Sequence, residues 1–192
     1  MKRRSFVLAL PLLLGACGYN TIQSMDERAK SAQQQIAVQL QRRADLVPNL
    51  VNTVKGFAAQ ESEVFGAVAK ANSGLIGAVN GGNVTEMAAA NQQLSGALGR
   101  LLAISQAYPT LKSDQTFLRL QDELTGTENR IGQARTDYNQ AVQEYNAYIR
   151  RFPQVMTAKV TGAKPRDYFD VANAAAREAP KVDFSKPPEK KP

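Results

Sequence analysis

From Ile22 onward the apolar residues return every three or four positions: Ile22, Met25, Ala29, Ala32, Ile36, Leu40 and Ala44. That spacing matches the turn of an α-helix, so these side chains share one face, while the intervening Gln, Lys, Arg and Ser residues share a solvated one. The rhythm resumes after Pro48 with Leu50, Val54, Phe57, Val64, Val68, Ala71, Leu75 and Val79, and it ends at Gly81-Gly82. A stripe this long has to be covered by further helices.

Pro48 leaves two readings open. Inside a continuous helix it lacks the N–H that bonds the Ala44 carbonyl, and its ring kinks the chain. Alternatively Asp45 caps a new helix, and Pro48 falls in its first turn, where missing donors cost little. The stripe barely loses phase across the proline, which favours one long kinked helix. Unbroken from Asn20 to Asn80, it would measure roughly 90 Å.

After the double glycine, Asn83 and Glu86 have capping-box spacing. The stripe Met87, Leu94, Leu98, Leu101, Ile104 and Tyr108 follows, and Pro109 ends it. Ser113 or Asp114 caps the next helix. Its apolar positions Phe117, Leu120, Leu124, Ile131, Tyr138, Val142, Tyr145, Ile149 and Phe152 run close to heptad spacing until Pro153. Short connections make sequential helices antiparallel neighbours. The expected fold is all-α: an elongated antiparallel bundle of three to four long helices, the first kinked at a proline, with an irregular C-terminal tail.

The front end reads as an address. Lys2-Arg3-Arg4, the apolar run Phe6 to Leu14 and the small pair Gly15-Ala16 form a secretory signal. The apolar run is too short to span a bilayer, which takes about 20 residues. The only cysteine follows at once, and Leu14-Gly15-Ala16-Cys17 resembles the lipobox of bacterial lipoproteins, in which the cysteine is acylated. Each buried methylene of an acyl chain contributes about 0.8 kcal/mol, and two or more chains anchor stably. That resemblance implies a periplasm-facing protein held by lipid at Cys17. Gly18, rather than Asp, after the cysteine is compatible with sorting to the outer membrane. Asn20 and Gln23 have capping-box spacing, so a helix is expected three residues after Cys17 on a tether of about 10 Å.

Residues 1–16 are thus a signal peptide, 17–153 the bundle, 154–179 a loop and short helix packed on it, and 180–192 a disordered tail. Within this scheme Val155 to Lys164 reads as loop, and Tyr168, Phe169 and Val171 as pins for the short helix. Pro180, Pro187, Pro188 and Pro192 among lysines mark the tail.

Composition narrows the chemistry. No histidine is present, so Ser-His or Cys-His pairs and His-ligated metals are excluded, and one cysteine makes no internal disulfide. Removing Lys2, Arg3 and Arg4 leaves 21 basic against 17 acidic residues, a net charge of +4. That is a solubility feature rather than a nucleic-acid footprint. No glycine-rich phosphate loop, cofactor motif or metal-ligand spacing occurs.

The order and identity of several blocks resemble the LemA family of bacterial membrane-associated proteins. They are Tyr19-Asn20, Arg42-Arg43, the run Asp45-Leu46-Val47-Pro48-Asn49-Leu50-Val51, Ala107-Tyr108-Pro109, Glu128-Asn129-Arg130-Ile131, Tyr138-Asn139, Tyr145-Asn146, Phe152-Pro153 and Pro180-Lys181-Val182-Asp183-Phe184. The resemblance implies an elongated antiparallel helical bundle and assigns no reaction. The chain departs from the pattern at Ala32-Gln33, where a Trp-Ser-like pair is usual, at Ala37 and at Ala44. Many relatives also begin with an uncleaved membrane helix.

Arg42, Arg43 and Asp45 lie within one helical turn, and Glu128 and Arg135 lie on the last long helix. Together they read as an interaction site or as ion pairs that fix helix register. Asp122, Glu123 and Glu128 could in principle serve as paired carboxylates for hydrolysis, but nothing near them in the sequence suggests a nucleophile or substrate cleft. The expected function is therefore non-catalytic: a membrane-anchored scaffold with an envelope-protein partner. The alternatives are a membrane-shaping protein acting through Lys30, Arg42, Arg43 and Lys55, or a carboxylate-dependent hydrolase.

Overall fold

The computed structural model describes the backbone of residues 4–170 and the side chains from residue 18. Among the described residues there are six helices and no strand: α1 (Arg4–Phe57), α2 (Ser62–Gly81), α3 (Val84–Ile104), α4 (Pro109–Lys112), α5 (Gln115–Tyr148) and α6 (Gln154–Thr161). The fold is the expected all-α bundle.

Cross-helix bonds give the topology. Arg28 meets Glu144 and Arg43 meets Glu128, so α5 runs antiparallel to α1. Arg43 also bonds Asn91, and Gln60 bonds Tyr108, pairs that ascend together and make α3 parallel to α1. Asn72 reaches Ala44 while Gln33 reaches Gly82, so α2 returns antiparallel along α1. The sequence stripes face inward except at Phe57 and Phe152, which are exposed. Ile36, Leu40, Leu50 and Val54 of α1, Val68 and Leu75 of α2, Leu94 and Leu101 of α3, and Phe117 and Tyr138 of α5 are all buried in one core. Each large aliphatic side chain so buried contributes about 1.5–3 kcal/mol. A smaller core of Ile22, Tyr145, Ile149 and Ala158 joins α1, α5 and α6 beyond the four-helix part.

The helix ends follow local chemistry. The Asn83 side chain accepts from the backbone N–H groups of Thr85 and Glu86 at 2.9 and 3.2 Å, and Asp114 accepts from Phe117 at 2.8 Å. Gly82 closes α2 in the left-handed region at φ 69°, where a side chain would be strained.

Several expectations are corrected. Helix α1 is continuous through Asn20, so Asn20 starts no helix and no extended tether separates Cys17 from the folded body. The helix also does not reach Asn80. It ends at Phe57, and residues 58–61 reverse the chain, with Ala58 buried and its N–H on the Val54 carbonyl at 2.9 Å. An unbroken rod would leave the stripe of Phe65, Val68 and Leu75 without a partner, whereas the reversal buries it. The Lys55 ammonium lies 5.4 Å from the Phe65 ring centre across this corner. The stretch read as loop, Val155 to Lys164, is mostly helix α6, whose apolar Met156 and Val160 are exposed and so leave no inward stripe to read. Beyond it, residues 163–170 run without helix, with Phe169 buried and Tyr168 half-exposed. The side chains of residues 1–17, including the proposed lipid site Cys17, lie outside the described residues, as do Val171 and the 180–192 tail.

Pro48 sits inside α1 with its ring exposed. Its missing N–H frees the Ala44 carbonyl, and buried Asn72 of α2 donates to that oxygen at 3.2 Å. The backbone defect in one helix is thus answered by a side chain of another, which fixes their register. Replacing Asn72 with Leu is expected to destabilise the fold by about 1–3 kcal/mol, because the carbonyl stays buried and unpaired. In a Pro48→Ala background the helix supplies its own donor, and the same substitution costs less. A thermal-melt double-mutant cycle measures that coupling, and additive effects would contradict it.

Candidate polar sites and their relatives

Two polar constellations, one buried and one half-buried, stand out against the apolar core. The first centres on Arg43, whose position on α1 turns it inward between α3 and α5. Only 7% of its side chain is exposed. One Nη1 bonds the Asn91 Oδ1 at 2.6 Å and pairs with the Glu128 carboxylate, which keeps half its surface in water. Its Nε and the Gln39 Oε1 one turn earlier are buried without a hydrogen-bond partner among the described residues. Burial lowers the Arg43 pKa from its ordinary value, and the Glu128 charge partly restores it. The group stays cationic in any physiological range. Three helices therefore converge on one guanidinium.

The other residues of the predicted cluster are not gathered there. Arg42 is exposed, and exposed Asp45 accepts from Gln41 at 2.8 Å along its own helix. Arg135 lies seven residues from Glu128, about 10 Å along α5, where it approaches Asp170 at 4.0 Å. Asp122 and Glu123 are exposed, with Glu123 4.0 Å from Arg119. Among the described residues no three His, Cys, Asp or Glu groups converge to hold a metal. The proposed basic membrane surface also loses a member, since Arg43 is inside the bundle.

The second constellation was missed. Residues 163–170 form a strap laid back along α5. The Asn146 side chain accepts from the Arg166 N–H and donates to the Arg166 carbonyl, both at 2.9 Å. One heptad earlier, Asn139 does the same to Phe169, at 2.8 and 3.1 Å. The match is geometric: seven helical residues rise about 10.5 Å, and three extended residues span about 10 Å. Two asparagines seven apart on a helix can therefore clamp positions three apart on an extended strand. Between them the Tyr138 hydroxyl donates to the Asp167 carbonyl at 2.8 Å. Arg166 closes the strap onto α1 with a two-pronged contact to Asp26, at 2.7 and 3.0 Å. That hydrogen bond raises the Arg166 pKa. The signal in the sequence is the repeat Tyr138-Asn139 and Tyr145-Asn146, in which each tyrosine falls on the core stripe and each asparagine beside it.

The concavities that adjoin the two constellations, at Gln39 and at Asp26 and Arg166, are open to solvent. An open groove of about 850 Å³ runs along α5, lined by residues including Arg135, Asn139, Glu144, Arg151 and Tyr168. Among the described residues no helix is long and apolar enough to cross a membrane.

Fold and sites together define a helical bundle held by internal polar clamps, with open grooves on its surface. The chain belongs to the LemA family, which it matches over residues 32–184. It is 31% identical to magnetosome protein MamQ 2 of Paramagnetospirillum magneticum, over 79% of this chain and 64% of that protein. It is 30% identical to magnetosome protein MamQ of Magnetospirillum gryphiswaldense, with the same coverage. The chain thus spans slightly less than two thirds of the length of these curated relatives. Neither the family description nor the relatives' names assign a reaction.

Proposed function

We propose that the protein is a lipid-anchored, periplasm-facing adaptor that binds an envelope protein while its bundle is held close to the membrane. The observation that carries this reading is the continuity of α1 through residues 18–20, directly after the lipobox-like Leu14-Gly15-Ala16-Cys17. Gly18 lies beside α6, where an added Cβ would sit 3.6 Å from Gln154 and Thr157. Acylation at Cys17 would attach lipid to the end of a packed helix, so the membrane fixes the position of the whole body. Open grooves along α5 suit an elongated partner better than a small substrate. The relatives' designation as magnetosome proteins supports work at a membrane.

In-cell crosslinking with mass spectrometry, comparing the native chain with Cys17→Ala, tests this. A reproducible protein partner that weakens without the cysteine is the expected result. Self-links and lipid alone would overturn the adaptor reading.

A further inference from the structure

We propose that α6 and the turn before it form a second membrane contact, an edge that rests on an anionic lipid surface beside the N-terminal anchor. It rests on the anchored reading above and adds to it a surface and a ligand class. The helix has two unlike faces. Its inner face packs on α1: a Cβ at Gly18 would meet Gln154 and Thr157 at 3.6 Å, and Ala158 is buried with Ile22, Tyr145 and Ile149. Phe152 in the turn before it and Met156 and Val160 on its outer face are 83, 58 and 88% exposed. Tyr19, one residue beyond Gly18, adds another exposed ring. These four are half of the large exposed apolar side chains among the described residues, gathered at one end of the molecule.

Charge identifies the occupant. Between Glu144 and Asp167 the chain has no acidic residue, and Arg150, Arg151, Lys159 and Lys164 are all exposed around the apolar stripe. Arg166, the fifth cation, is held by Asp26. An apolar stripe flanked by cations is the pattern of a segment lying in the headgroup region of anionic lipid. Location agrees. The apolar run Phe6 to Leu14 belongs to the same continuous helix and ends four residues, about 6 Å, before Gly18. Any bilayer that takes up that end of α1, or an acyl chain at Cys17, brings its surface to α6.

The chain has no tryptophan, so single substitutions report depth without background. Val160→Trp and Phe152→Trp, with Val38→Trp as an exposed reporter about 30 Å along α1 from Gly18, are to be made in the full chain. Each is reconstituted into vesicles of mixed phosphatidylglycerol and phosphatidylethanolamine. The expected result is blue-shifted emission, quenched by brominated acyl chains, for the two reporters at α6 and not for the one at residue 38. Adding Arg151→Glu and Lys159→Glu should reduce the quenching of the Val160→Trp reporter while the chain still floats with the vesicles. Equal, water-like emission from all three reporters in floating protein overturns this contact and leaves the anchor standing. A chain that fails to float overturns both.

Discussion

Truncating Glu128 to Ala is expected to destabilise the protein by about 3 kcal/mol, the lower end for breaking a buried ion pair. The reason lies in its partner. Arg43 is nearly excluded from water, cannot shed its proton, and would keep only the bond to Asn91. The half-exposed carboxylate of Glu128 limits the loss, because part of the attraction is already screened. In a chain of this size that is a fall in melting temperature of roughly 6–12 °C. Replacing the pair together, Arg43→Met with Glu128→Leu, should recover much of the loss, since apolar packing avoids the desolvation cost. Thermal melts of the two single variants and the double variant form the test. If Glu128→Ala melted like the native chain, Arg43 would not depend on the pair.

How much of this was legible in the sequence differs between core and clamps. Positions such as Ile36, Leu40, Val54 and Leu94 announce themselves by period, because burial on a helix face repeats every turn. Asn83 and Asp114 are legible because a cap is a local interaction. Arg43 was visible as a charge near a proline, but its burial depends on α3 and α5 meeting over it, which no local pattern encodes. The same holds for Asn72, an ordinary polar residue until Pro48 is placed opposite it. The reversal at residues 58–61 was hidden since the apolar rhythm runs on in phase on both sides. Only the need to cover Val68 and Leu75 distinguishes a rod from a hairpin. The lipid and partner expectations concern chemistry at Cys17 and surfaces outside the chain, so helix geometry does not decide them.

The strap offers the sharpest separation of local from global stability. Asn139→Ala and Asn146→Ala each strand one backbone N–H and one carbonyl, at about 1–3 kcal/mol per buried group left unpaired. The full penalty is not expected, because the strap can lift off and hydrate. The loss should instead saturate once residues 163–170 detach, with the second substitution adding little to the first. Hydrogen exchange at Arg166 and Phe169 should accelerate in either variant, while amides of α2 and α3 keep their protection. Uniform acceleration across all helices would mean that the strap supports the whole bundle rather than its own end. Alkali provides an independent release. Burial raises the Tyr138 and Tyr145 pKa values above the ordinary 10.0, with Asp167 and Asp26 acting in the same direction. A phenol with a raised folded-state pKa stabilises the fold fully below the unfolded value. That contribution is lost as pH climbs from about 10 through the folded-state value. Ionised Tyr138 also no longer has a proton to donate to the Asp167 carbonyl. Proteolytic cleavage within 163–170 should therefore rise above about pH 10 in the native chain. In Tyr138→Phe, which lacks that hydrogen bond at every pH, cleavage should already be faster near neutrality and depend less on alkali. Because Asn139, Asn146 and Tyr138 all belong to α5, one helix face would then set whether the chain after α6 is held or released.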